Sequence, residues 1–203
     1  MTNDPSTQLH SEPKERPGGR SERIGSAVVE ATIGLLMERG VEHLSFEQIA
    51  TAAGINRTTL YRRWGSKERL LTWALLEYQR ENIPQPDTGS LEGDLVQLAQ
   101  SLSKELAGPS GPMFLNVLTA NRQNDPAVGE AIKSFWDERS ALTNQLLDRA
   151  LARGELDADV DRRLLLEMVF GTSYFRLLQT GKAPTDKATK ALVQQVLRGF
   201  RQR

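Results

Sequence analysis

Residues 45–71 of this chain read SFEQIATAAGINRTTLYRRWGSKERLL and contain its clearest signals for local structure. Ser45 stands three positions before Gln48, which is the spacing of a helix capping box. The spacing predicts a helix over residues 46–53. Gly54 then ends that helix, because glycine readily adopts the left-handed backbone that closes a helix.

A second short helix follows the glycine turn. Asn56 is a favourable N-cap for a helix over residues 57–63, and Gly65 interrupts the chain after it. Two short helices joined by a glycine turn are typical of a helix-turn-helix, whose second helix enters the major groove of DNA. Many helical hairpins that bind no DNA have the same turn, so spacing alone leaves both interpretations open.

The charge distribution favours DNA binding. Lys+Arg and Asp+Glu both total 26, a formal net charge of +0, so attraction to nucleic acid requires a local patch. Residues 57–69 contain five basic side chains against Glu68 alone. Lys67 would lie in the first turn of the next helix, where free backbone N–H groups favour an anion. The alternative is a solvated, charged helix face.

The rest of the chain has apolar residues at helical spacing, separated by glycine and proline. Residues 1–20 are polar and rich in proline and glycine, which predicts a disordered tail. An alternative is that the basic residues of this segment reach the minor groove as an arm. No segment alternates as a strand does. Helices are predicted over residues 21–39, 46–53, 57–63, 67–82, 91–106, 113–123, 126–153, 160–180 and 186–201.

Several classes of protein are excluded by composition and motifs. The chain has no cysteine and only two histidines, His10 and His43, so no metal site, redox chemistry or cofactor is expected. It contains no G-x-S-x-G, H-E-x-x-H or G-x-x-x-x-G-K motif, which argues against an enzyme. It also has no apolar run of about 20 residues and no signal peptide, so a cytoplasmic protein without membrane contact is expected.

Residues 45–71 resemble the DNA-binding signature of TetR/AcrR-type transcriptional regulators. The likeness comprises an Ile-Ala pair, an Ala-Gly-Ile turn, a Thr-Leu-Tyr core, Trp64, and Ser-Lys-Glu before two leucines. The stretches NDPAVGEAI, LLDRALARGELDADVD and GTSYFRLLQTG resemble the C-terminal domain of one large subgroup. This resemblance implies an all-α fold of about nine helices, with a helix-turn-helix domain over residues 21–66. Residues 67–203 would form an effector-binding and dimerisation domain, with the fourth helix as connector.

The resemblance also implies a function and partners. The protein would act as a homodimer on double-stranded operator DNA, as a repressor released by an unidentified small-molecule effector. The positions matching contacts to bases or the groove wall are Arg57, Thr58 and Arg62, and arginine suits bidentate pairing with guanine. The positions matching phosphate contacts are Thr59, Tyr61 and Lys67. Arg63 fits either group, and Ser45 completes the predicted DNA-binding set.

The predicted helix over residues 160–180 is apolar nearly all round, so more than one side of it must be buried. A second subunit supplies that cover if the protein is a dimer, as the resemblance implies. The alternative is a central position within its own monomer. The predicted dimer residues are Leu166, Phe170, Phe175, Val193, Leu197 and Phe200.

An effector pocket requires mostly apolar walls with a few polar groups. The predicted pocket residues are Leu98, Leu102, Met113, Phe114, Val117, Phe135, Trp136, Met168 and Tyr174. The same side chains also suit an ordinary core. Three other functions remain open: a DNA-binding regulator without an effector, an activator, and a helical enzyme or carrier that uses the C-terminal cavity.

Overall fold

The structure, a computed structural model, describes residues 19–119 and 126–200, and these ranges contain nine α-helices, one 3-10 turn and no strand. The prediction of an all-α fold with nine helices is confirmed. The helices are α1 Gly19–Arg39, α2 Phe46–Ala53, α3 Arg57–Trp64, α4 Lys67–Asn82, α5 Leu91–Ala107, α6 Gly111–Thr119, α7 Pro126–Ala152, α8 Arg162–Thr180 and α9 Asp186–Phe200. The 3-10 turn, Val41–His43, leaves His43 exposed, as predicted.

The sequence signals around α2 and α3 correspond to real caps. The Ser45 hydroxyl accepts the N–H of Gln48 at 3.3 Å, and the Asn56 side chain accepts the N–H of Thr58 at 2.9 Å. Gly54 has φ +64°, the left-handed conformation that turns the chain from α2 into α3. These local bonds explain why the two helices begin where the sequence predicted.

The start of α1 corrects one predicted boundary. The helix begins at Gly19, so the last two residues of the predicted tail belong to α1. The rest of that tail, with His10 and the basic residues Lys14 and Arg16, lies outside the described residues. So does Asp125, the predicted cap of α7.

The first three helices share a small core with the beginning of α4. Val28, Ile49 and Leu60, one from each of α1, α2 and α3, are fully buried, and so are Leu70 and Leu71 of α4. Burying each such side chain stabilises the fold by about 1.5–3 kcal/mol. The helix-turn-helix is therefore a packed unit that is anchored on α4.

Helix α5 lies at the centre of the C-terminal region. Its buried stripe includes Leu95, Ala99 and Leu106, and it packs against α6, α7, α8 and α9. Two buried hydroxyls, Ser103 of α5 and Ser173 of α8, lie 3.1 Å apart and satisfy each other. The core of this region is thus organised around one helix.

Helix α4 connects the two regions through specific contacts. The Thr72 hydroxyl donates to the carbonyl of Ala131 in α7 at 3.1 Å, and this bond is buried. The Tyr78 hydroxyl donates to Glu105 of α5 at 2.8 Å. Because α4 also packs against α1 and α3, a displacement of α4 would be felt on both sides.

The segment between α4 and α5 is held by a buried carboxylate. Asp94 has no exposed surface, and one of its oxygens accepts the N–H and hydroxyl of Thr88 at 2.6 and 2.7 Å. Its other oxygen lies 3.9 Å from Arg149 of α7 and 3.7 Å from Arg153, just after that helix. Arg149 also donates to the carbonyl of Pro86 at 2.6 Å, which fixes this connection to α7.

Helix α8 is buried on one side only. It begins at Arg162, two residues later than predicted, because Asp161 caps it by accepting the N–H of Leu164 at 2.9 Å. Three of its residues are buried, namely Leu165, Val169 and Ser173. The large apolar side chains that remain exposed are Leu164, Met168, Phe175 and Leu178. No helix in the described part of the chain is both long and apolar enough to cross a membrane.

Candidate DNA interface and ligand cavity

Helix α3 has one buried, apolar side and one exposed, polar side. Leu60 and Trp64 are buried, which fixes one side of the helix against α2 and α4. Arg57, Thr58 and Arg62 are exposed on the remaining surface. This arrangement leaves the three predicted base-facing residues accessible to a macromolecular partner.

Arg57 is held in an ordered position at the start of α3. Its guanidinium donates to the Tyr61 hydroxyl at 3.1 Å, lies 5.3 Å from the Tyr61 ring centre and comes within 3.9 Å of Glu47. The hydrogen bond to Tyr61 is the main cause of a raised pKa for Arg57, so the group stays cationic. Tyr61 itself packs against Phe46 of α2, with ring centres 4.4 Å apart.

Two neighbouring threonines differ in their hydrogen-bonding freedom. The Thr58 hydroxyl donates to the Asn56 side chain at 2.7 Å, so its proton is used within the protein while its oxygen can still accept. Thr59 is half-buried. The hydroxyl of Ser45 donates to Gln48 at 3.1 Å as part of the α2 cap, so its proton is used in capping the helix.

Arg63 is exposed on α3, and its guanidinium also contacts two other helices. It donates to the carbonyl of Ser21 in α1 at 3.0 Å. It also lies 4.9 Å from the ring centre of Trp64 and 6.0 Å from that of Trp73. These contacts tie the end of α3 to α1 and α4, and the DNA contact of Arg63 stays a prediction.

Lys67 occupies the first turn of α4, as predicted, and is half-buried. Ser66 caps this helix by accepting the N–H of Arg69 at 3.4 Å. A lysine at this position adds positive charge to the N-terminal end of a helix that already favours anions. It therefore extends the cationic surface of α3 along the start of α4.

A cavity of about 890 Å³ lies between α7 and α8, with residues of α4 and α5 also in its wall. The two long helices run antiparallel, since the Trp136 and Tyr174 rings are 6.1 Å apart while Arg162 and Asp148 form a 2.7 Å ion pair further along. The apolar lining consists of Leu98, Leu102, Trp136, Leu166 and Phe170.

The polar lining includes Gln79 and Arg139, which sequence analysis missed, and Tyr174, which it predicted. Gln79 of α4 is only 5% exposed, and its side-chain oxygen accepts no hydrogen bond from the described residues. Arg139 of α7 and Tyr174 of α8 are half-buried in the same lining. Burial lowers the pKa of Arg139 and raises the pKa of Tyr174 to about 12, which the charge of Arg139 partly opposes. Polar residues on helices give no periodic signal that would have indicated this site.

The structure divides the predicted pocket residues into three groups. Leu98, Leu102, Trp136 and Tyr174 line the cavity. Met168 is 45% exposed on α8 and does not line this cavity. The remaining four are buried core residues outside this lining, namely Met113, Phe114, Val117 and Phe135.

The predicted dimer residues are divided in a similar way. Phe175 is 63% exposed and belongs to the apolar face of α8, whereas Leu166 and Phe170 face the cavity. Val193 and Leu197 are buried within the monomer, so they cannot meet a partner surface as predicted. Phe200 is half-buried against the core of its own chain. We call Leu164, Met168, Phe175 and Leu178 the α8 stripe; three of these four were not predicted at an interface.

Known protein families match the N-terminal and C-terminal regions of the chain separately. A sequence model of the bacterial regulatory proteins of the tetR family matches residues 28–72, which include α2 and α3. A model of the tetracyclin repressor-like C-terminal domain matches residues 85–196, which include the α8 stripe and all of the cavity lining except Gln79.

Individual relatives resemble the chain over most of its length. It is 31% identical to the HTH-type transcriptional regulator AqdR of Rhodococcus erythropolis, covering 91% of this chain and 89% of AqdR. It is 28% identical to the DNA-binding transcriptional repressor TetR of Mycobacteroides abscessus, covering 83% and 88%. The crystal structure of the TetR family regulator SCO0332 superposes with a TM-score of 0.70, at 28% identity, over 89% of this chain and 100% of that one. The chain therefore belongs to the TetR family of transcriptional regulators, helix-turn-helix proteins that bind operator DNA and dimerise rather than catalyse a reaction.

Proposed function

We propose that this protein is a repressor that a small molecule, bound in the cavity between α7 and α8, releases from its operator. The observation that carries the proposal is the position of α4, which contributes Gln79 to the cavity and Trp73 to the contact with α3. One helix thus touches both the ligand site and the DNA-reading unit.

On the DNA side, Arg57 and Arg62 contact base edges or the groove wall, while Tyr61 and Lys67 contact phosphates. Ordered arginine at the start of a recognition helix suits bidentate contact with guanine. The hydroxyl and ammonium groups suit phosphate oxygens, which position the protein without reading sequence.

Dimerisation through the α8 stripe would bring two copies of α3 to successive turns of a duplex, about 34–36 Å apart. The stripe supports this arrangement because large apolar side chains at helical spacing are exposed on one face. A two-fold interface uses the same face twice, so one helix is enough to build it.

The coupling runs from the cavity to α3 through helix α4. A ligand beside Gln79 displaces α4, whose Trp73 ring lies 4.9 Å from that of Trp64 at the end of α3. The separation of the two α3 helices in the dimer then no longer matches the operator. Linkage requires the ligand to prefer the DNA-free conformation, and requires operator DNA to weaken ligand binding by the same factor.

The test begins with duplexes selected from random DNA by the full-length protein, followed by a screen for compounds that release the selected duplex. Ser140, exposed at the cavity lining, is then changed to Trp to obstruct the cavity. We expect Ser140→Trp to bind the duplex normally and to resist release. Gln145→Trp, an exposed change on the same helix away from the lining, is the matched control and should respond like wild type. Release of Ser140→Trp at wild-type ligand concentrations would contradict the proposal.

A further inference from the structure

We propose that the effector is an organic acid with a single anionic group on an apolar body, and that Arg139 holds the anionic group inside the cavity. This inference rests on the proposed function, because it names the chemical class of ligand for the same cavity. It is argued from the charge balance of the lining.

Three arginines line the cavity, and their partners differ. Arg162 pairs with Asp148 at 2.7 Å, and Arg163 pairs with Glu167 at 2.7 Å. Arg139 makes no ion pair with a carboxylate in the described part of the chain, although its guanidinium is half-buried. Keeping a desolvated cation unpaired costs free energy, which an incoming anion would recover.

Two further polar groups extend this site beyond a single charge. The hydroxyl of Tyr174 is protonated at neutral pH, since burial raises the pKa of this residue to about 12, so it can donate a hydrogen bond. Gln79 has an unsatisfied amide oxygen, and rotation of that amide exchanges its oxygen and its NH₂ group. Together, the guanidinium, the hydroxyl and the amide offer the several donors that a carboxylate accepts.

The rest of the lining defines what is attached to the anionic group. Its apolar wall includes Trp136 and Phe170, which favour an aromatic or aliphatic body. Asp137 and Glu167 also line the cavity, so a second anionic group would meet like charge. The arrangement therefore selects a monoanion with a large apolar portion over a phosphorylated or multiply charged metabolite.

Two fluorescent probes test the contribution of the ligand's charge separately from that of its apolar body. Anilinonaphthalene sulfonate carries one negative charge, and N-phenyl-1-naphthylamine has a similar aromatic body without it. Both are titrated into the full-length dimer and into Arg139→Gln. The matched control is Arg80→Gln, which removes an exposed arginine of α4 that is paired with Glu77 and lies outside the cavity lining. Ser140→Trp shows whether either probe occupies the cavity.

We expect Arg139→Gln to weaken binding of the anionic probe about tenfold, the effect of losing one charge-assisted hydrogen bond. Binding of the neutral probe should change less than about twofold on the same reasoning. Arg80→Gln should alter the binding of neither probe, and Arg139→Lys, which keeps the charge, should retain most of the preference for the anionic probe. In wild type alone, 1-naphthaleneacetate should displace the neutral probe at about a tenth of the concentration needed by 1-naphthaleneacetamide. This displacement experiment uses wild type only, so it does not depend on how any variant folds.

The outcomes distinguish the two proposals. If Arg139→Gln leaves anionic-probe binding unchanged, or weakens both probes equally, or if acid and amide displace equally well, the assignment of an acidic ligand is wrong. The neutral probe's sensitivity to Ser140→Trp would then still support a ligand cavity. If neither probe responds to Ser140→Trp, the acid assignment and the effector cavity are both wrong.

Discussion

In the proposed DNA interface, Arg57 is already bonded to the Tyr61 hydroxyl, which lowers the side-chain entropy that it would lose on binding. We expect Arg57→Ala to relax preference at one or two base pairs of the selected duplex, by about 1–3 kcal/mol per pair. The measurement is the affinity for single-base variants of that duplex at fixed salt. Equal losses for every sequence would show that Arg57 contacts phosphate instead.

Lys67→Ala provides the comparison for that experiment, because its proposed contact is sequence-independent. It should weaken all duplexes similarly and reduce the slope of log affinity against log salt by about one. Arg80→Ala, an exposed arginine that is paired with Glu77 on α4, should change neither property.

Tyr174 predicts a specific loss of stability in alkali. Its pKa is raised by burial from 10.0 to about 12, so between these values the unfolded chain is ionised while the folded chain is neutral. The unfolded state then binds fewer protons, and stability falls as pH rises above about 10. Thermal melting from pH 8 to 11 should show a shallower decline for Tyr174→Phe than for wild type. An unchanged decline would mean that the hydroxyl is not buried in solution.

At the scale of single elements, the turn between α2 and α3 depends on backbone conformation. Gly54 has φ +64° and open space around its missing side chain, so Gly54→Ala is penalised by conformation and not by a clash. We expect a loss of about 1 kcal/mol in the free energy of unfolding. Urea unfolding measures this quantity.

Gly34 supplies a control for that measurement. It lies inside α1, where an added Cβ would also meet nothing within 4 Å, but its backbone is helical. Gly34→Ala should therefore stabilise the protein by about 0.5–1 kcal/mol. If both changes have the same sign, the turn conformation is not what Gly54 provides.

At the scale of the whole molecule, the proposed interface at the α8 stripe would hold the two DNA-reading units of a dimer together. We expect Phe175→Glu to weaken self-association at least about a hundredfold, because burying an unpaired charge costs several kcal/mol. Operator binding should fall with it, while the melting of each monomer is retained. Sedimentation and duplex affinity measure the two effects.

Met37→Glu is the matched control, since Met37 is a large apolar residue that is 46% exposed on α1, away from the stripe. It should remain dimeric. A dimeric Phe175→Glu would place the interface elsewhere. Val193→Glu should instead destabilise the monomer, because Val193 has no exposed surface within its own chain.

The order of the helices and the starts of α2 and α3 were determined by the sequence alone, and so was the family. The reason is physical: Ser45 and Asn56 bond to backbone groups within three residues, and Gly54 ends a helix by its own conformation. Such interactions need no distant partner. The signature in residues 45–71 is equally local, and the exposed Arg57 and Arg62 followed from it directly.

Which apolar residue serves the core, the cavity or the exposed stripe was decided only by the tertiary structure. Val193 and Phe175 carry the same periodic signal, yet the first is buried and the second is 63% exposed. Arg63 and Arg139 likewise depend on partners from other helices, a carbonyl at Ser21 in one case and a cavity wall in the other. The periodic spacing of apolar residues predicts that a side chain is covered, whereas the packing of α4, α5, α7 and α8 determines what covers it.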